Sequence, residues 1–134
     1  MNRYLLDTDT LIDFSKGREP VVSLINTWIA YGDTIGVCPI NITEFYSGLP
    51  QTERKVWDEF FESLTCWDVT RKAGRVAGEV RYELKRGGQI LTTTDAIISA
   101  VATANKAIIV TSNVDDYPRH KHDILSPREN SHMI

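Results

Sequence analysis

The sequence predicts one domain built on a parallel α/β sheet with helices on both faces. Two observations carry this. The candidate strands, "RYLLD" (3–7) and "AIIVTSN" (107–113) among them, hold short unbroken apolar runs, as strands buried on both faces do. Between them lie longer stretches whose apolar residues recur at helical spacing, so strand and helix alternate along the chain.

The elements follow in order. After the strand at 3–7, Leu11, Ile12 and Phe14 mark a short helix over 8–16, stopped near Gly17. Pro20 suits a first helical turn, and Val21, Val22, Leu24, Ile25, Trp28 and Ile29 follow at helical spacing up to Gly32. "TIGVCPI" (34–40) predicts the second strand, and "NITEFYSG" (41–48) opens a helix with Asn41 as its cap. A helix over 51–64 is expected to bury Val56, Phe60, Phe61 and Leu64, before a brief strand at "CWDV". Residues 70–86 predict an amphipathic helix with Ala73, Val76, Ala77, Val80 and Leu84 inward, ended by Gly87-Gly88. "TTTDAIISAVATANKA" is nearly all small or apolar and predicts a buried helix leading into the strand at 107–113. "HDIL" predicts an edge strand, and residues 127–134 a loose tail.

A chain of 134 residues suffices for one domain with a real core. Hydrophobic residues are 42% and charged residues 25%, ordinary values for a soluble globular protein. No apolar run approaches the roughly 18 residues of a membrane span. The opening "MNRYLLDTDT" meets acid too early for a signal peptide, so the cytoplasm is the expected location. Cys38 and Cys66 lack metal-type spacing and are expected to be reduced residues in or near the core.

A net charge of −3 argues against indiscriminate nucleic-acid binding, yet the charge is unevenly spread. Residues 1–66 carry five Lys/Arg against ten Asp/Glu, whereas residues 67–134 carry ten against eight. On the 70–86 helix, Arg71, Lys72, Arg75, Arg81, Lys85 and Arg86 meet only Glu79 and Glu83. That face suits a phosphate backbone, with Arg81, Lys85 and Arg86 as the candidates to hold it; a solvated charged face is the bland alternative.

In open parallel sheets, ligands sit outside the carboxyl ends of the strands. Asp7 closes the first strand, Glu44 lies in the first turn of the helix after the second, and Asp95 opens the buried helix. Thr111, Ser112 and Asn113 close the 107–113 strand, and Asp115 and Asp116 follow it. Taken singly, Asp7 reads as a helix cap, "NITE" as a capping box, and Asp95 as a dipole-favoured acid. Together they predict convergence at one sheet edge, where carboxylates stay ionised only if a cation joins them. Oxygen ligands with no His or Cys nearby suit Mg²⁺ or Mn²⁺, and the matching chemistry is phosphodiester hydrolysis.

At these residues the sequence resembles the PIN-domain ribonucleases, and among them the VapC toxins of VapBC toxin–antitoxin pairs. The resemblance rests on "YLLDTDTLID", "ITEFYSG", "AGRVAGEVRYELKRGGQI" and "DAIISAVATANKAIIVTSNVDDY", in the family's order across nearly the whole chain. It implies a three-layer α/β/α sandwich on a central parallel sheet of four to five strands, and an acidic pocket for Mg²⁺ or Mn²⁺. Carried over, it puts metal-ligating acids at Asp7, Glu44 and Asp95. The fourth position falls on Asn113 where Asp is common, with Asp116 as the acid that compensates. Asp9 stands where the family often has Asn, and Thr8, Thr111 and Ser112 are expected to orient ligands or water. The resemblance further implies cleavage of structured RNA (tRNA or ribosomal RNA), a homodimer, and inhibition by a small VapB-like antitoxin in a heterotetramer or larger assembly.

Three other readings compete with this one. "DTDT" (7–10) with "IIVTSN" mimics the nucleophile loop and second motif of haloacid-dehalogenase-type phosphatases, but their later Lys and acidic pair are missing. A metal-free ribonuclease would use His120, His122 or His132 as acid and base. A catalytically silent binding module on the same fold is the third, and Asn113 keeps it open. Within the opening stretch, Asp13 is expected to be structural and paired with a nearby base.

Overall fold

A computed structural model describes residues 1–118 and 123–128. The helices and strands run β1 (Arg3–Leu6), α1 (Thr8–Ser15), α2 (Val21–Ala30), β2 (Thr34–Val37), α3 (Pro39–Ser47), α4 (Arg54–Glu62), β3 (Thr65–Cys66), α5 (Arg71–Arg86), α6 (Thr93–Ala104), β4 (Ile108–Val110) and β5 (Ile124–Leu125). The five strands form one sheet in the order β3-β2-β1-β4-β5, and every pairing is parallel.

Successive strand residues point to opposite faces, and the core divides accordingly. Leu5 and Ile109 join Ala73, Ala77, Ile98, Val101 and Ala102 beneath α5 and α6. Tyr4, Leu6, Ile35, Val37 and Val110 join Leu11, Leu24, Ile25, Trp28 and Phe45 beneath α1, α2 and α3, with α4 packed outside them. The three-layer sandwich expected from the sequence is therefore present, with five strands. Gly36 has a specific reason to be glycine: a Cβ there would sit 2.6 Å from Cζ3 of Trp67, whose ring lies across the strand.

Several local expectations need correction. Helix α3 begins at Pro39, not Asn41, because Pro at the first helical position fits its fixed φ. Cys38 becomes the cap, and Asn41 is the third helical residue, accepting from the Cys38 amide at 3.1 Å. Glu44 consequently lies on the second turn and plays no capping part. On α4 the inward side is set by Trp57, Phe60, Phe61 and Leu64, which leaves Val56 exposed. The brief third strand begins a residue early, and Cys66 on it is exposed, whereas Cys38 is buried as expected. Asp13 does pair with a base, Arg18 Nη1, at 2.9 Å. His120, His122 and His132, and residues 129–134 of the expected tail, lie outside the described residues. Among the described residues, no helix is long and apolar enough to cross a membrane.

Candidate active site

The sheet order places a topological switch at β1, whose neighbours β2 and β4 belong to crossovers running in opposite directions. Asp7 stands at the carboxyl end of this strand. Its amide bonds the Val110 carbonyl at 3.0 Å, and the buried Thr10 hydroxyl donates to the same carbonyl at 2.8 Å. β1, α1 and β4 are thereby locked together at the switch point.

Asp7 caps α1: its backbone is extended and its Oδ1 accepts from the Thr8 amide at 2.9 Å. The bland reading of this residue is thus correct as far as it goes. The same carboxylate also accepts from Tyr117 Oη at 3.0 Å on Oδ2, and from Asn41 Nδ2 at 3.4 Å on Oδ1. Tyr117 is 3% exposed, Asn41 0% and Asp7 itself 8%. Burial pushes the Asp7 carboxyl up to about 6, the Thr8 amide opposes that rise, and the charge of Asp9 adds to it.

Asp95 lies in the first turn of α6, with its amide donating to the N-cap hydroxyl of Thr92 at 3.2 Å. Its carboxyl is raised by burial, and the charges of Asp116 and Glu44 push it further in the same direction. Thr92 and Tyr117 oppose that rise. The Tyr117 phenol is thus bonded to Asp7 and also influences the Asp95 carboxyl. Burial and the two carboxylates raise its own ionisation far above the ordinary range, so it stays a neutral donor. Glu44 is held by the Thr8 hydroxyl, which donates to Oε1 at 2.7 Å.

The remaining predicted residues take distinct places. Asp9 accepts from Thr111 Oγ1 at 3.1 Å and from the Ser112 amide at 2.8 Å, so it fastens α1 to the segment after β4. Asn113 is exposed; its amide donates to Thr111 Oγ1 and its carbonyl accepts from the Asp116 amide, starting a 3₁₀ turn over Val114–Asp116. Asp116, not Asn113, supplies the charge felt by Asp95. Arg81 donates through Nε to the Leu91 carbonyl at 2.8 Å, and Arg86 Nη1 to Tyr82 Oη at 2.7 Å. The structure thus gathers Asp7, Glu44, Asp95 and Asp116 around one edge, with the basic residues of α5 farther along.

The donor chemistry fits a hard divalent cation, since every candidate ligand is a carboxylate oxygen. Among the described residues, no three Asp, Glu, His or Cys side chains converge closely enough to form a cage. The charges of Asp116 and Glu44 both bear on the Asp95 carboxyl. Sequence reasoning missed Tyr117 and Asn41. Asn41 was visible only as a cap, and Tyr117 only as the end of "DDY", with nothing local to say that it turns inward.

The PIN domain family model matches residues 4–122. The chain belongs to the PIN-domain family. This PIN domain is 27% identical over 128 residues to Ribonuclease VapC2 of Rickettsia felis, spanning 91% of this chain and 95% of that protein. It is 24% identical over 114 residues to Ribonuclease VapC19 of Mycobacterium tuberculosis, spanning 85% and 91%. Among solved structures, VapBC2 of Rickettsia felis bound to a promoter DNA fragment superposes with a TM-score of 0.80 at 24% identity, covering 92% of this chain and 98% of that one. DNA-bound VapBC from Salmonella typhimurium gives 0.80 at 22% identity, covering 94% and 98%. These superpositions show the fold. The phosphatase reading of "DTDT" loses its ground, because the PIN match spans the chain and Asp9 is engaged by Thr111 and Ser112.

Proposed function

We propose that this PIN domain is a VapC-type endoribonuclease that uses Mg²⁺ or Mn²⁺ to hydrolyse phosphodiester bonds in structured RNA. A VapB-like antitoxin is proposed to silence it, on a homodimeric toxin in the cytoplasm. Its curated relatives carry the name Ribonuclease VapC, and its structural neighbours include VapBC complexes. The observation that carries the reading is the gathering of carboxylates from separate strand–helix units at one edge: Asp7 bonded by Tyr117, Glu44 by Thr8, and Asp95 under the charges of Glu44 and Asp116.

Asp7 and Asp95 would hold the cation, with Glu44 and Asp116 completing the acidic face. When bound, the ion supplies Lewis acidity and a water acidic enough to act as nucleophile near neutral pH. The chain's own residues do the rest. Tyr117 and Asn41 fix both oxygens of Asp7, Thr8 holds Glu44, and Asp9 keeps the Thr111–Asn113 segment against α1. Lys85 and its neighbours on α5 offset the repulsion between a polyanion and this acidic edge.

A second reading, a catalytically silent binding module, is favoured by the amide at Asn113 and by the lack of a three-ligand cage among the described residues. Incubating the purified protein with tRNA and ribosomal RNA, with Mg²⁺ or Mn²⁺ and then with EDTA, separates the two. The nuclease reading expects cleavage that EDTA and Asp95→Asn both abolish. Antitoxin binding without any cleavage would support the silent module.

A further inference from the structure

Resting on that reading, we propose that the groove between Tyr82 and Ile90 seats one unpaired nucleobase of the RNA strand that the acidic edge cuts. On α5, Gly78, Arg81, Tyr82 and Lys85 fall at i, i+3, i+4 and i+7 and share a face. With Gln89, Ile90 and Leu91 they line a groove of about 440 Å³. The surroundings of Gly78 are open, for a Cβ there would meet nothing within 4 Å.

Two large apolar groups stand out in this groove without covering. Ile90 is 93% exposed and Tyr82 63%. Neither contributes to the core, so their exposure is not explained by folding. Tyr82 is also held in place: Arg86 donates to its hydroxyl and lays its guanidinium 5.4 Å from the ring centroid. A fixed aromatic ring loses little freedom when a base stacks on it. Arg81 is fixed too, through its bond to the Leu91 carbonyl. Cations beside an exposed aromatic are the combination by which proteins hold single-stranded nucleic acid, the ring taking a base and the cations the backbone.

The position of the groove favours the same occupant. Gln89, Ile90 and Leu91 also line a second groove of about 410 Å³, whose other wall includes Leu84, Asp116 and Tyr117. A strand lying across residues 89–91 therefore leads from Tyr82 to the acid beside Asp95. A second copy of the chain fits less well. A two-fold contact through this groove would bring two copies of Arg81 and Lys85 into one interface, and no acid among the described residues lines the groove to balance them.

The test is binding of a fluorescein-labelled single-stranded RNA of mixed sequence, followed by anisotropy in EDTA so that no cleavage intervenes. Inorganic polyphosphate serves as the backbone-only competitor, and wild-type, Y82A, Y82F and I90S chains are compared. Y82A is expected to weaken RNA binding about tenfold, with Y82F close to wild type and polyphosphate binding unchanged by either. Lys85→Ala should weaken RNA and polyphosphate alike. Equal RNA affinity in wild type and Y82A, or no RNA binding by the wild type, overturns the proposal. So does a change of oligomeric state in Y82A or I90S by sedimentation, which would make the groove a contact between copies. Because binding is read without metal, this outcome is independent of whether the acidic edge cleaves RNA.

Discussion

The hydroxyl of Tyr117 donates to Oδ2 of Asp7 at 3.0 Å, across 110 residues of sequence. It ties the segment after β4 to the end of the first strand at the point where a cation is proposed to sit. Groups that orient ligands in this way typically tune metal affinity by ten- to a hundredfold.

Tyr117→Phe isolates that hydroxyl, since the ring stays packed. Mn²⁺ affinity is expected to fall about tenfold by calorimetry. Leaving Asp7 Oδ2 short of a donor should cost about 1–3 kcal/mol of stability by urea unfolding. Unchanged Mn²⁺ affinity with lowered stability would make Tyr117 a packing residue only.

Asp7 makes the metal-free protein sensitive to pH. Its folded value of about 6 lies above its ordinary 3.8, so the folded state holds the proton more tightly than the unfolded chain. Its contribution is therefore full below about pH 4 and is lost as pH rises through about 6, roughly 3 kcal/mol in all. Asp7→Asn should lack this term: the stability difference between variant and wild type in EDTA grows from pH 4 to pH 7. A difference that stays constant across that range contradicts the buried, raised carboxyl.

The three acids of the opening stretch should separate by role. Asp9→Asn replaces an acceptor of two donors, Thr111 Oγ1 and the Ser112 amide, with a group that presents one acceptor and one donor. A loss of about 1–3 kcal/mol and a partial loss of RNA cleavage are expected. Asp13→Asn loosens only a largely exposed pair with Arg18, worth about 0.2–1 kcal/mol, and should leave cleavage intact. Equal loss of activity at Asp7, Asp9 and Asp13 would contradict the assignment.

Gly36→Ala tests the sheet behind the site. The added Cβ collides with the Trp67 ring at 2.6 Å, and overpacking of this kind costs about 1–3 kcal/mol. Thermal unfolding should show the loss, and a neutral substitution would mean that Trp67 moves aside freely.

The sheet and most of the acidic edge were legible because they depend on local pattern. Unbroken apolar runs marked β1 and β4, and Asp7 and Asp95 stand at element boundaries that the same pattern locates. What was not legible depended on phase or on distance. Pro39 moved the start of α3 two residues back from Asn41, which turned Asn41 from a cap into a donor to Asp7. A single-residue shift on α4 exchanged Val56 for Trp57 in the core. Tyr117 lies just past a 3₁₀ turn, outside any helical or strand period, so only the folded chain shows that it faces inward.

The central claim is that Asp7 and Asp95 together hold a cation that cleaves RNA. Calorimetric titration of Mn²⁺ into wild-type, Asp7→Asn and Asp95→Asn chains, with RNA cleavage followed in the same samples, tests it most directly. The account predicts saturable binding and cleavage in the wild type, both lost in each variant. RNA cleavage that persists in Asp7→Asn and Asp95→Asn, or in the presence of EDTA, would contradict it.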